Sequence, residues 1–136
     1  MGVLRSVMRA IDTNVLVRIA ARDHEKQTRA AEEYVAKGAW VSHVVLAECA
    51  WVLTALYGLS RSELADTLRN LLNHASIVVQ DADVVSEAVA QFAQRKALSF
   101  PDCLILEIAR KAGHTPLATF DRDWAKLEGV EQLGKN

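Results

Sequence analysis

Apolar residues along this chain recur in two rhythms, short runs of three to five and longer stretches with helical spacing, and the two alternate from one end to the other. Residues 8–12 read as a buried strand, and residues 13–22 as a helix that starts at the capping triplet Asp12-Thr13-Asn14. A second helix covers residues 24–37, with Gly38 in the position that commonly follows a helix end. Residues 40–42 form a short strand. The next stretch, 43–57, is apolar on nearly every side, with Ser42 placed to cap it, so it is buried inside the domain or against a partner. Ser60 leads in a helix over 61–73, and a strand follows at 76–79. Residues 82–97 are amphipathic, with Val85, Ala88, Val89 and Phe92 on one face. Pro101 suits the first turn of a helix that ends near Gly113 and Pro116. A strand at 115–119, a short turn or helix at 123–127 and an edge strand at 130–133 complete the series. Helices alternating with short apolar strands predict an α/β fold, a short central parallel β-sheet flanked by α-helices in three layers.

Four acidic residues break this pattern. Asp12 ends the apolar stretch Val7-Met8-Arg9-Ala10-Ile11, and Glu48 lies inside the apolar helix between Val44, Val45, Trp51 and Val52. Asp102 opens Asp102-Cys103-Leu104-Ile105-Leu106, and Asp121 follows Pro116-Leu117-Ala118-Thr119-Phe120. Asp12 and Asp121 fall at the C-terminal ends of predicted strands, where open parallel sheets hold their ligands, and the helices carrying Glu48 and Asp102 can bring their acids to the same edge. Two carboxylates about 4 Å apart repel by roughly 4 kcal/mol at an effective dielectric near 20, so such a cluster needs protons or a cation. Hard oxygen donors suit Mg²⁺ or Mn²⁺, and the chemistry such an ion supports with a phosphate substrate is phosphodiester hydrolysis. Each acid also has a plain structural reading: Asp12 as a helix cap, Glu48 as the partner of an arginine or a helix N-terminus, Asp102 as a favourable charge in a first helical turn, Asp121 and Asp123 as turn residues.

Composition narrows the field only a little. A chain of 136 residues with 51% hydrophobic and 24% charged residues is of a size for one domain spanning residues 1–136, and disorder is not expected. The net charge of −1 lacks the basic signature of bulk nucleic-acid binding, although a few rim cations can still position phosphates. Candidates for that role are Arg18, Arg22, Arg95, Lys96, Arg110, Lys111 and Arg122. Cys49 and Cys103 show no paired spacing and read as small buried hydrophobes in a reducing compartment. The four histidines form no metal-ligand pair, which argues against zinc. No apolar run is long enough for a membrane span and no signal peptide is evident, so a cytoplasmic protein is expected. Residues 1–7 read as an alternative start or a leftover of cloning.

The segments Ile11-Asp12-Thr13-Asn14-Val15-Leu16, the helical Glu48, Asp102-Cys103-Leu104-Ile105 and Thr119-Phe120-Asp121-Arg122-Asp123-Trp124 resemble, in order and spacing, the motifs of PIN-domain ribonucleases, and most of all the VapC toxins of toxin–antitoxin pairs. The resemblance runs from Met8 to Leu133. It implies that Asp12, Glu48, Asp102 and Asp121 hold Mg²⁺ or Mn²⁺, with Asp123 as a secondary ligand, and that Asn14 and Thr119 steady the carboxylates and the attacking water. It further implies an RNA substrate, a homodimer, and a small VapB-like antitoxin that covers the acidic groove in a heteromeric complex. Two positions depart from the pattern: Ser99 stands where many relatives carry another Asp, and Pro101 is less usual in its place, which leaves the entry angle of the Asp102 helix open. The apolar run from Ala50 to Tyr57 exceeds what one buried face requires, in keeping with a second subunit or partner helix. Two rivals remain. A phosphatase of the haloacid-dehalogenase type needs an aspartate two residues after its nucleophile, where this chain has Asn14, and a PIN-like domain could bind RNA or protein without cutting.

Overall fold

The computed structural model describes residues 8–135, so the expectation for residues 1–7 lies outside the described residues. The order of elements is β1 (Arg9–Ala10), α1 (Thr13–Ala21), α2 (Glu25–Val35), β2 (Ala39–Val41), α3 (His43–Ala55), α4 (Arg61–Leu72), β3 (Ile77–Val79), α5 (Ala82–Gln94), α6 (Phe100–Ala112), β4 (Leu117–Thr119), a 3-10 turn (Trp124–Lys126) and β5 (Val130–Gln132). Every predicted element is present, each within a few residues of its expected limits, and the α/β class with parallel strands among helices stands.

Capping chemistry explains where the helices start. The Ser42 hydroxyl accepts from the amide of Val45 at 3.2 Å, and the side chain of Gln80, just past β3, accepts from the amide of His43 at 3.0 Å. Ser60 and Glu63 form a reciprocal capping box, with bonds of 3.1 and 2.9 Å. At the other end of α6, Gly113 takes φ 81°, a left-handed conformation that a side chain would strain.

All strand pairs are parallel, but the strands fall into two groups, β1-β2-β3 and β4-β5. The expected single sheet is thus divided among the described residues. β1 has only two residues and pairs with β2, Arg9 opposite Ala39 and Ala10 opposite Trp40. The amide of Ile11 adds one further bond to the carbonyl of Trp40, at 3.1 Å, and then the chain turns at Asp12 into α1. β2 is central to its group and is covered on both faces, with Ala39 and Val41 buried and Trp40 half-buried. β3 is at the edge and exposes Val78.

The core gathers Leu16 of α1, Leu46, Cys49 and Leu53 of α3, Leu68 of α4, Val85 and Val89 of α5, and Phe100, Cys103 and Leu106 of α6. Truncating any one of these leucines to alanine would cost about 2–5 kcal/mol. Phe92 and Phe100 meet edge to face with ring centres 6.3 Å apart. Arg61 closes this corner. Its guanidinium lies 4.0 Å from the centre of the Phe92 ring and donates to the carbonyls of Leu98, Phe92 and Arg95 at 2.7, 2.7 and 2.8 Å. It thereby satisfies carbonyls left open at the end of α5 and pins the loop leading into α6.

α3 is not covered all round by the domain's own helices. Within a single chain it is buried on one face only, through Leu46, Cys49, Ala50 and Leu53, while Val44, Trp51 and the capping Leu56 are 66%, 63% and 71% exposed. On the neighbouring α6, Ile105 and Ile108 are also exposed. Among the described residues no helix is long and apolar enough to cross a membrane.

Candidate active site

Each of the four acids is held in place through one of its carboxylate oxygens. Asp12 caps α1, its Oδ1 accepting from the amide of Val15 at 3.0 Å. Glu48, in the second turn of α3, accepts through Oε2 from the Thr13 hydroxyl at 3.0 Å, which joins the middle of α3 to the residue next to Asp12. Asp102 is the third residue of α6 and half of a capping box: its Oδ2 accepts from the Ser99 amide at 3.1 Å, while its own amide donates to the Ser99 hydroxyl at 3.2 Å. Asp121 leaves β4 and accepts through Oδ1 from the Trp124 amide at 2.9 Å, and its own amide donates to the Thr119 hydroxyl at 3.0 Å. Among the described residues, the second oxygen of each carboxylate makes no hydrogen bond to the protein.

None of the four is buried. Asp12, Glu48 and Asp121 are exposed and Asp102 is half-buried. The sequence pattern placed them at apolar positions, whereas the structure puts them where the chain leaves a strand or a helix emerges from the core, so their charges meet water. Thr13 brings Asp12 and Glu48 into one neighbourhood. Asp102 sits beside Ser99, Phe100 and Pro101, which line a hollow with Ala50, Trp51 and Thr54 of α3. Among the described residues no three His, Cys, Asp or Glu side chains lie close enough together to hold one ion. The donor chemistry, four carboxylates and no sulfur or imidazole, nonetheless fits a hard cation such as Mg²⁺ or Mn²⁺.

The supporting residues divide. Thr119 is buried and steadies Asp121 through its backbone. Asn14 is exposed in the first turn of α1 and lines a groove with Asp12. Asp123 is exposed and pairs with Lys126 at 3.3 Å, in the manner of a turn residue.

Two residues escaped the sequence reading. Thr13 belongs to the capping triplet and to the first of the family-like segments, but its bond to Glu48 spans 35 positions, beyond any local signal. Ser99 was noted as a departure from the family pattern, yet Ser99-Phe100-Pro101-Asp102 is itself a capping-box signature with Asp in the place of Glu or Gln. With Pro101 in the first turn, that box settles how α6 begins.

Several candidate phosphate contacts are occupied within the fold. Arg18 pairs with Asp23 at 3.3 Å, Arg22 pairs with Glu32, Arg110 pairs with Glu107 at 3.3 Å and donates to the Glu128 carbonyl, and Lys111 bridges Asp81 and Asp83 at 3.1 Å each. Arg95, Lys96 and Arg122 are exposed and form no ion pair among the described residues. The cysteines take no part in the chemistry. Burial pushes the Cys49 thiol up to about 12 and that of Cys103 to about 11, the latter helped by the neighbouring Asp102 charge, so both stay protonated at neutral pH.

Comparison with known proteins completes the picture. No curated protein matches the chain. The profile of the PIN domain, in contrast, matches residues 10–130, a span that contains every element from α1 to β4, the four candidate acids and Asp123. The chain therefore belongs to the PIN domain family, and its fold is of the nuclease type.

Proposed function

We propose that this chain is a metal-dependent endoribonuclease that hydrolyses phosphodiester bonds in RNA and acts as the toxin of a VapBC-type pair. The observation that carries this reading is the division of labour within each carboxylate. A helix cap needs one acceptor, and Ser, Thr or Asn supply it without a charge. Here three aspartates each anchor one oxygen on a nearby amide and Glu48 anchors one on the Thr13 hydroxyl, and all four leave the other oxygen unengaged.

Asp12, Glu48, Asp102 and Asp121, with Asp123 as a further acid, would hold Mg²⁺ or Mn²⁺. When bound, the ion supplies an activated water and offsets charge on the phosphoryl oxygens. The chain's own contribution is orientation. The amides of Val15, Ser99 and Trp124 and the hydroxyl of Thr13 fix one oxygen apiece, so the others need little rearrangement to act. The exposed Val44, Trp51, Ile105 and Ile108 support a homodimer, and a small antitoxin in a cytoplasmic complex belongs to the same reading.

A second reading, a PIN domain that binds RNA or protein without cutting, is favoured by one observation: the acids do not converge on one point among the described residues. Cleavage of a mixed RNA substrate in Mg²⁺ or Mn²⁺ decides between them, with EDTA and Asp102→Asn preparations run alongside. Asparagine retains an acceptor for the Ser99 amide, so the fold persists. Cutting that disappears in both controls supports the nuclease; a folded Asp102→Asn protein that cuts at the parental rate removes it.

A further inference from the structure

A groove of about 640 Å³ runs along the seam between α1 and α2 and reaches the acids at Asp12. Its walls are mostly apolar, including Val15 and Ala31, and its polar groups are few: Asp12, Asn14, Arg18 and Gln27, with Tyr34 as the one aromatic residue.

Arg18 is held rigidly. Its Nε donates to Gln27 Oε1 at 2.6 Å, and its Nη1 donates to Asp23 at 3.3 Å and to the Tyr57 hydroxyl at 3.1 Å. Tyr57 in turn donates to the second Asp23 oxygen at 2.8 Å. The guanidinium charge is thus satisfied inside the fold, and its contact with Gln27 fixes which way that carboxamide points. Oε1 is engaged, while the Nε2 group, two N–H donors, makes no hydrogen bond among the described residues. Seven positions further along α2, about 10 Å, the Arg9 guanidinium lies 3.8 Å from the centre of the exposed Tyr34 ring.

We propose that this groove binds the nucleotide next to the scissile phosphate, its base against Tyr34 and the apolar wall, with Gln27 donating to an acceptor on the base edge. This rests on the nuclease reading and adds a site of base selection to it. Single-stranded RNA is recognised by stacking and by hydrogen bonds to unpaired base edges, and a mostly apolar groove with an aromatic ring and an oriented amide offers both. The exposed Arg9 cation suits the neighbouring phosphate. The unengaged Gln27 N–H donors and the Arg9 cation match an unpaired base edge and a phosphate, and continuity with Asp12 brings a nucleotide so held up to the acids.

The test uses fluorescent homo-oligomers of adenosine, cytidine and uridine, with anisotropy read in Mg²⁺ in the Asp102→Asn background. Gln27→Glu keeps the acceptor for Arg18 but removes the donor. It is expected to shift the ranking about tenfold toward adenosine and cytidine, whose amino groups can donate to the new carboxylate. Tyr34→Leu is expected to weaken all three oligomers by about tenfold. Thermal unfolding checks that each variant is folded. If both folded variants bind and rank the oligomers as their parent does, the groove does not read the base, and the proposal falls while cutting by the Asp102 protein still upholds the nuclease. A protein partner that shields Gln27 and Tyr34 while RNA binds unhindered would equally overturn it. Absence of both cutting and binding removes the two readings together.

Discussion

Thr13 offers the sharpest test of how the acids are organised. Replacing it by valine keeps the shape and removes the hydroxyl that donates to Glu48 Oε2 at 3.0 Å. A hydrogen bond to a charged group contributes about 1.5–3 kcal/mol when shielded, and with Glu48 exposed the figure falls to about 1 kcal/mol. For a chain of this length that lowers Tm by about 4 °C. The effect on metal dependence should be larger than on stability, since residues that orient a metal ligand commonly alter affinity by about 10–100-fold. The assay is RNA cleavage across a Mn²⁺ titration, with thermal unfolding in EDTA measured on the same preparations. Thr13→Val should raise the Mn²⁺ concentration for half-maximal rate about tenfold and recover most of the rate at saturation, and Thr13→Ser should restore the parental curve. An unchanged half-maximal concentration beside a lowered Tm would refute the argument, leaving Thr13 as a tie between α1 and α3 and nothing more.

Three further outcomes follow from the same geometry. Glu107 is buried on α6, and burial raises its carboxyl above the ordinary 4.5 despite the Arg110 charge, with Glu87 pushing the same way. A raised carboxyl is stabilising in its neutral form, so wild type should gain on Glu107→Gln as pH falls toward 4.5 and lose that margin as pH rises; melting curves that shift in parallel at every pH would contradict this. Cys49 and Cys103 should resist a thiol-reactive disulfide reagent at pH near 8 until the protein unfolds, and fast labelling of the native protein would show that the core is more open than described. If the proposed homodimer forms through α3, Trp51→Lys should give a monomer in light scattering without lowering Tm, because Trp51 is 63% exposed in one chain; a parent protein that is monomeric, or a variant that stays dimeric, removes that contact.

Much of the fold was legible because it rests on local rules. Ser42, Ser60 and Gly113 mark helix ends by capping and backbone freedom, and the amphipathic spacing of α5 marks its buried face. Strand partnership was not legible: three-residue strands carry too little pattern to state which neighbour they pair with, and the division into β1-β2-β3 and β4-β5 lies in hydrogen bonding across distant segments. For the site, the identity of the acids could be read from the apolar runs they interrupt, but their exposure could not, since an acid inside an apolar run looks the same whether it faces the core or emerges at a helix start. That α3 carries more apolar surface than one face can bury was legible from the run 50–57, but which side faces out was not, its apolar residues being nearly uniform around the helix.

Because Asp12, Asp102 and Asp121 each accept from a main-chain amide, the residues proposed for chemistry are also those that begin a helix or a turn. Relaxed selection on catalysis would therefore not erase the site at random. Asparagine or serine can take over a cap where alanine forfeits about 1 kcal/mol, so a descendant that had stopped cutting RNA would keep small polar residues at these positions and drift first at Glu48, whose partner is a side chain. Loss of function in this lineage would leave a chain that folds as before, with its helix starts intact and its charges gone.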